Sequence, residues 1–227
     1  MRHPIEFLFP PEIGAELIYS FVIVICSLMI YYATKEMYEL SSYKGLKYFR
    51  LSFLFFALAY FFRYFIQFFL VFFNIQEIID ISPRIIFDTS MFIFLYSSSM
   101  AVFCLLYSVM WKKWNHSKQK MYLFNALAII IALIGTLFRG MLVSLGLNVI
   151  LLLFVSFILF TAYNENKKKR SKNSLLVIYF ALFIFWILNV LSILLPKFLQ
   201  LYQLAIYLIS IFIFMVILYK VLKKTGN

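Results

Sequence analysis

YLFNALAIIIALIGTLFRGMLVSLGLNVILLLFVSFILFTA, residues 122–162, is the stretch that decides the fold, because Arg139 is its only charged residue. A single α-helix of this length would extend roughly 60 Å, whereas the hydrocarbon of a bilayer is only about 30 Å thick. A hairpin that turns at Arg139-Gly140 lets each half cross the hydrocarbon separately. The stretch therefore predicts two adjacent membrane-spanning helices.

The same apolar pattern continues on both sides of this hairpin. The chain has 227 residues, of which 65% are hydrophobic and 13% charged, with a mean hydropathy of +0.95. That leaves too few polar residues to coat a water-soluble surface. Continuous apolar runs favour helices over the alternating strands of a membrane barrel. We expect an all-α membrane protein with one domain, residues 1–227, and seven helices at about 13–32, 48–73, 84–110, 122–138, 141–162, 175–195 and 198–219.

The distribution of basic residues predicts the orientation of these helices. Of the 21 Lys and Arg residues, sixteen lie after predicted helices 1, 3, 5 and 7, four lie in the other connections, and Arg63 lies within a helix. The basic side of a membrane protein is normally cytoplasmic. We therefore expect a multi-pass protein of the cell membrane with its N-terminus outside and its C-terminus inside. The net charge of +12 then indicates contact with anionic lipid heads and not nucleic-acid binding.

Arg63 is the charged residue that this layout leaves inside the membrane. A charged side chain near the middle of a bilayer costs about 2.5–3.5 kcal/mol on insertion scales and is usually functional. The surrounding apolar residues offset that cost, so the helix still inserts into the membrane. Because the charge is then inside the hydrocarbon, we expect Arg63 to have polar partners. Polar residues at the same predicted depth, in the outer half, are Glu16, Gln67, Asp88, Asn189, Ser192 and Gln203.

Two interpretations of this polar group follow. In the first, the residues converge on a cavity that is open to the outside and binds a small ligand. In the second, Arg63 and Asp88 pair only to hold helices 2 and 3 together. The predicted inner halves are almost wholly apolar, which favours a pocket on one side only. Gly140, Ser144 and Asn148 repeat every four residues and predict a small-residue packing stripe.

No catalytic chemistry is indicated by the sequence. Zinc-protease, nucleophile-elbow and phosphate-loop motifs are absent from it. The two histidines, His3 and His116, lie on opposite sides of the predicted membrane and cannot share a metal. We therefore expect that the protein is not an enzyme and that it binds neither a cofactor nor a metal.

Two segments next to the first connection carry a family resemblance. Residues 32–38, YATKEMY, and residues 44–50, KGLKYFR, resemble a family of uncharacterised prokaryotic, in particular archaeal, seven-helix membrane proteins. The resemblance covers mainly the first two helices and implies no catalytic residue. In topology alone the chain also resembles microbial rhodopsins and receptor-like sensory bundles, although residues 205–214 contain no Lys that could hold retinal.

Three functions are compatible with these observations. The first is a sensor that binds a small ligand, or senses the membrane, from the outer side and signals through a separate cytoplasmic protein docked on the basic loops. The alternative is a small-solute transporter with a 3+1+3 helix duplication, which the matching triplets Phe56-Ala57-Leu58 and Phe180-Ala181-Leu182 faintly support. The third is a structural or assembly subunit.

Overall fold

A computed structural model describes residues 11–65, 83–111, 113–114, 118–138, 140–169, 174–195 and 200–225. Secondary structure in these ranges is helical throughout, with no strand. Each helix is long and apolar enough to cross a membrane, so the predicted all-α, seven-helix fold is confirmed and the chain is a multi-pass membrane protein. The helices are α1 (Pro11–Ser41), α2 (Lys44–Tyr60) continued by a π-helical segment (Phe61–Phe65), α3 (Pro83–Met110), α4 (Lys118–Leu137), α5 (Met141–Lys169), α6 (Ser174–Leu194) and α7 (Gln200–Thr225).

Several helices continue beyond the apolar runs that predicted them, and α1 is the clearest case. It continues past Tyr32 to Ser41 because its last turns are good helix formers, with Lys35 and Glu39 paired at 3.8 Å along one face. Ser42 then adopts a left-handed φ of 48°, and its N–H donates to the Tyr38 carbonyl at 2.8 Å. Hydropathy marks where a helix crosses lipid, not where its backbone hydrogen bonding stops.

Six helices form a closed ring in the order α1, α2, α3, α5, α6, α7, and α4 packs on the outside of α3. The Tyr96 hydroxyl of α3 donates to Asn125 Oδ1 of α4 at 2.8 Å, and the rings of Phe103 and Phe124 stack 5.1 Å apart. The hairpin at Arg139-Gly140 predicted that α4 and α5 would be adjacent. They touch only slightly, because a short turn brings together only the adjoining helix ends, whereas α6 and α7 do pack together.

Large aromatic side chains fill the middle of the ring. The rings of Phe185 and Phe214 lie 4.7 Å apart, and Phe56 lies 6.1 Å from Trp186 and 6.4 Å from Phe185. All of these side chains are buried. We call this set the aromatic layer: Phe53, Phe56, Phe185, Trp186 and Phe214.

Successive helices run in opposite directions, so the bundle has two distinct ends. The Arg63 end, as we call it, holds the starts of α1, α3, α5 and α7 and the ends of α2, α4 and α6; for example, Glu16 of α1 meets Tyr207 of α7 there. The basic end is the opposite one, where Lys113 after α3 meets Glu165 of α5. The expectation that the basic end faces the cytoplasm stays a prediction.

Candidate functional site

Arg63 lies in the π-helical segment that ends α2. A π turn contains more residues than an α turn, changes the direction of the side chains that follow, and often occurs at functional sites. Here the Phe62 carbonyl accepts a hydrogen bond from the Ser90 hydroxyl of α3. The Arg63 guanidinium carbon lies 5.0 Å from the centre of the Phe94 ring, also on α3. Two contacts with α3 therefore hold this segment and its guanidinium.

Next to this guanidinium is a cavity of about 150 Å³, the Arg63 cavity. Its apolar wall comes mainly from α3, and its polar groups come from four helices. The Asn148 amide donates to the Ser144 carbonyl at 2.9 Å, and the Trp186 indole donates to the Asn148 carbonyl at 3.3 Å, which positions this part of α5. The polar side chains that line the cavity are Arg63, Ser90, Ser144, Asn148 and Asn189.

Three tyrosines form a connected group on the other side of Arg63, which we call the tyrosine cluster: Tyr19, Tyr60 and Tyr207. The Tyr60 hydroxyl donates to Asn189 Oδ1 at 3.1 Å, so its oxygen accepts from the Tyr19 hydroxyl at 3.2 Å. The Tyr19 and Tyr207 rings stack with their centres 4.7 Å apart. Hydrogen bonding and stacking thus join α1, α2, α6 and α7 beside the cavity.

Tyr207 extends this network to two further polar residues. Its hydroxyl donates to Glu16 Oε1 at 2.9 Å and accepts from Gln203 Nε2 at 2.8 Å. A narrow gap between the cluster and α6 is lined by Arg63 and Asn189 as well as Tyr19 and Tyr207. Arg63 therefore lies between the Arg63 cavity and the tyrosine cluster and borders both.

The structure brings together four of the six residues that the sequence proposed for ligand binding. Arg63 and Asn189 line the cavity, and Glu16 and Gln203 bond to the tyrosine cluster. Asp88 is half-buried near the start of α3 and is not among the described residues that line the cavity. Gln67 lies outside the described residues. A ligand-binding role for these residues stays a prediction.

The predicted packing stripe of Gly140, Ser144 and Asn148 has a different role. A Cβ added at Gly140 would meet only Val143 of its own helix, at 3.8 Å, so no other described helix packs closely there. Ser144 and Asn148 line the Arg63 cavity instead. Small polar residues on a helix face thus make room for a cavity here.

A second and larger cavity, the basic-end cavity, lies at the opposite end of the bundle. It measures about 450 Å³, and its described lining comes from every helix except α4. The expectation of a pocket on one side only is therefore wrong. Its polar lining residues are Thr34, Ser41, Tyr43, Ser108, Glu165, Asn166, Tyr179 and Lys224.

Glu165 is the acidic residue among the described residues that line this cavity. Its Oε1 lies 3.5 Å from Lys113 Nζ, and both side chains are partly exposed. Burial, and then the nearby Glu165 carboxylate, raise the pKa of Tyr43 above its ordinary value, so that phenol remains a neutral donor. Asn166, the next residue, has a buried Oδ1 that accepts no hydrogen bond from the described part of the chain.

Comparison with known proteins identifies a relative along nearly the whole chain. An uncharacterised protein of Archaeoglobus fulgidus is 33% identical over 223 residues, which cover 97% of this chain and 95% of that protein. No family model matches the sequence. The relative confirms the resemblance to uncharacterised archaeal proteins, whereas the resemblance to rhodopsin-like bundles stays a prediction.

Proposed function

We propose that this chain, which belongs to the same family as the uncharacterised Archaeoglobus fulgidus protein, is a non-enzymatic sensor of the cell membrane that binds a small ligand at the Arg63 end. The Arg63 end faces the outside, and the basic end contacts anionic lipid heads and a separate cytoplasmic signalling protein. The supporting observation is the position of Arg63, which borders both the Arg63 cavity and the tyrosine cluster.

That position couples ligand binding to the arrangement of the helices. The cavity takes polar groups from α2, α3, α5 and α6, and the tyrosine cluster joins α1, α2, α6 and α7. A ligand that moves the guanidinium would alter contacts of all six ring helices. A ligand shifts a conformational equilibrium only through such differential contacts.

The chemistry of the lining suggests a small oxyanion as the first probe. A guanidinium presents a planar set of donors that matches a carboxylate, and the Ser and Asn side chains supply further donors. Only a solute of a few heavy atoms fits about 150 Å³. We therefore choose formate, acetate and methanesulfonate, with neutral acetamide for comparison.

The test measures unfolding of the purified protein in nanodiscs against each probe. We expect acetate or methanesulfonate, but not acetamide, to stabilise the protein, by about 2.7 kcal/mol at one hundred times the dissociation constant. Arg63→Gln should abolish the response, and Arg63→Lys should weaken it. Arg50→Gln is the matched control, because Arg50 bonds to the Tyr31 carbonyl at 3.2 Å in the half of α2 near the basic end.

The opposite outcome would favour a purely structural role for Arg63. In that case no probe stabilises the wild-type protein, and Arg63→Gln and Asp88→Asn each lower the unfolding free energy by the same amount. A double mutant no less stable than either single mutant would show that the two residues act as a pair.

One observation favours the transporter as a second candidate. Polar cavities lie at both ends of the ring, and the aromatic layer separates them, as in a carrier whose path is closed in the middle. Radiolabelled methanesulfonate stays ionised and does not cross bilayers unaided. Its uptake into proteoliposomes that contain wild-type protein, with none for Arg63→Gln, would favour transport over sensing.

A further inference from the structure

The basic-end cavity is a built site that the proposed ligand-binding function does not use. Its volume of about 450 Å³ falls within the range of small-molecule sites, about 300–1,000 Å³. Much of its wall is apolar, with Met37 of α1, Phe49 of α2 and Ile178 of α6 among the contributors. An occupant with an apolar body would therefore be well accommodated.

Hydrogen-bond acceptors collect on the α5 side of the cavity. Asn166 Oδ1 is buried and lacks a donor within the described ranges. The Glu165 carboxylate lines the same side of the cavity, and its Oε1 lies 3.5 Å from Lys113 Nζ. A buried acceptor without a partner is costly, and a ligand ammonium would satisfy it.

Two hydroxyls of the wall already have their protons committed. Ser108 donates to the Gly45 carbonyl at 2.7 Å, and Thr34 donates to the Ile30 carbonyl at 2.8 Å. These two hydroxyls therefore have no proton to offer an occupant. The α5 side is suited to a donor with several N–H groups.

A cation lines the same cavity from α7. Lys224 is partly exposed, and within the described ranges its ammonium forms no ion pair. Its ammonium is a charged donor for an anionic group, whereas the α5 side of the cavity offers acceptors. A carboxylate, an amide and an ammonium thus line one partly apolar cavity, which is complementary to a molecule that carries both charges and an apolar side chain.

We infer that the basic-end cavity binds a small apolar zwitterion of the amino-acid type. Its ammonium is held by Asn166 and Glu165, its carboxylate by Lys224, and its side chain by the apolar wall. The site is distinct from the Arg63 cavity and does not depend on the proposed function there.

The first test compares three molecules that share one apolar body. L-leucine carries both charges, leucinamide only the ammonium, and 4-methylpentanoate only the carboxylate. Binding to the full chain in nanodiscs is measured by titration calorimetry. We expect leucine to bind at least about tenfold more tightly than either analogue, because each analogue lacks one charged contact. Equal binding of all three, or no binding of any, overturns the inference.

The second test uses substitutions with a matched control. Lys224→Gln should weaken leucine binding about tenfold and leave leucinamide binding unchanged. Lys223→Gln removes the same charge from an exposed neighbour that does not line the cavity, and should change neither. Asn166→Ala should weaken leucine and leucinamide but not 4-methylpentanoate. Equal effects of Lys224→Gln and Lys223→Gln contradict the assignment.

Arg63→Gln separates this inference from the proposed function. Leucine should bind that variant as it binds the wild type, because Arg63 lies at the other end of the bundle. Retained leucine binding with a lost acetate response supports two independent sites. Loss of leucine binding in Arg63→Gln contradicts a separate site at the basic end.

Discussion

Tyr207 connects two polar side chains at the Arg63 end and also stacks on a second tyrosine. Its hydroxyl accepts from Gln203 and donates to Glu16, while its ring stacks on Tyr19. Removing the hydroxyl leaves the carboxylate and the amide without this partner in a mostly apolar surrounding. The ring, by contrast, is retained in a Phe substitution.

We therefore predict that Tyr207→Phe lowers the unfolding free energy by about 0.6–1.7 kcal/mol, because it removes the interhelical bond to Glu16, and single interhelical hydrogen bonds in membranes contribute about 0.6 and at most about 1.7 kcal/mol. Unfolding by SDS in mixed micelles measures the change. Tyr202→Phe, at an exposed position of the same helix, is the control and should change the free energy by less than about 0.5 kcal/mol. Equal effects of both substitutions would show that the network contributes nothing.

Residues of the candidate site were predictable from the sequence where a polar side chain interrupts an apolar run. Arg63, Glu16, Asn189 and Gln203 stand out for that reason, and the structure places them around one site. Tyrosines do not stand out, because a phenol in an apolar run looks like any other aromatic residue. Only the packing of α1 against α2 brings the Tyr19 and Tyr60 hydroxyls within 3.2 Å of each other.

At the scale of elements, the π-helical segment Phe61–Phe65 is the feature with the clearest consequence. Ser90 of α3 donates to the Phe62 carbonyl within it, so a side chain of one helix supports the irregular backbone of another. Irregular backbone at membrane depth is tolerated where such partners exist. This contact holds the segment that carries Arg63.

Ser90→Ala should accordingly lower the unfolding free energy by about 1 kcal/mol and weaken the acetate response. Ser156→Ala is the control, because within the described ranges the Ser156 hydroxyl bonds only to the Leu152 carbonyl of its own helix, at 2.8 Å. Its expected change is within about 0.5 kcal/mol. An unchanged acetate response in Ser90→Ala would mean that the segment keeps Arg63 in place without this bond.

The positions of the helices along the chain were predictable where contact with lipid requires an apolar sequence. The apolar runs located all seven helices, because hydrocarbon requires long apolar segments. They did not reveal the last turns of α1 and α5, which contain charged residues, nor the π turn, which depends on support from Ser90. The place of α4 outside the ring depends on contacts such as Tyr96–Asn125, which no single-helix pattern encodes.

Across the whole molecule, the aromatic layer determines whether the two cavities stay separate. Phe56 lies near its centre, is 1% exposed, and meets ring partners from both α6 and α7. Its position was not predictable from sequence, because Phe occurs 29 times and faces lipid as readily as core. The basic-end cavity was not predicted either, because its acidic and amide groups, Glu165 and Asn166, directly precede a run of basic residues in the sequence.

Phe56→Ala should lower the unfolding free energy by about 3–5 kcal/mol, since it leaves a void among packed rings. Phe180→Ala provides the comparison, because that side chain is half exposed on the outer face of α6, and its loss should cost less than about 1 kcal/mol. SDS titration again reports the difference. Similar losses for the two variants would argue against a packed layer at this level.

The central claim is that the Arg63 cavity is reached from outside the cell and binds a small oxyanion. Cysteine labelling tests it most directly, with Ser144→Cys as the single thiol after the buried Cys26 and Cys104 are replaced by Ala. The account predicts that a membrane-impermeant methanethiosulfonate added outside intact cells modifies this thiol, and that methanesulfonate slows the reaction. Modification only from the cytoplasmic side, or a rate that methanesulfonate leaves unchanged, would contradict it.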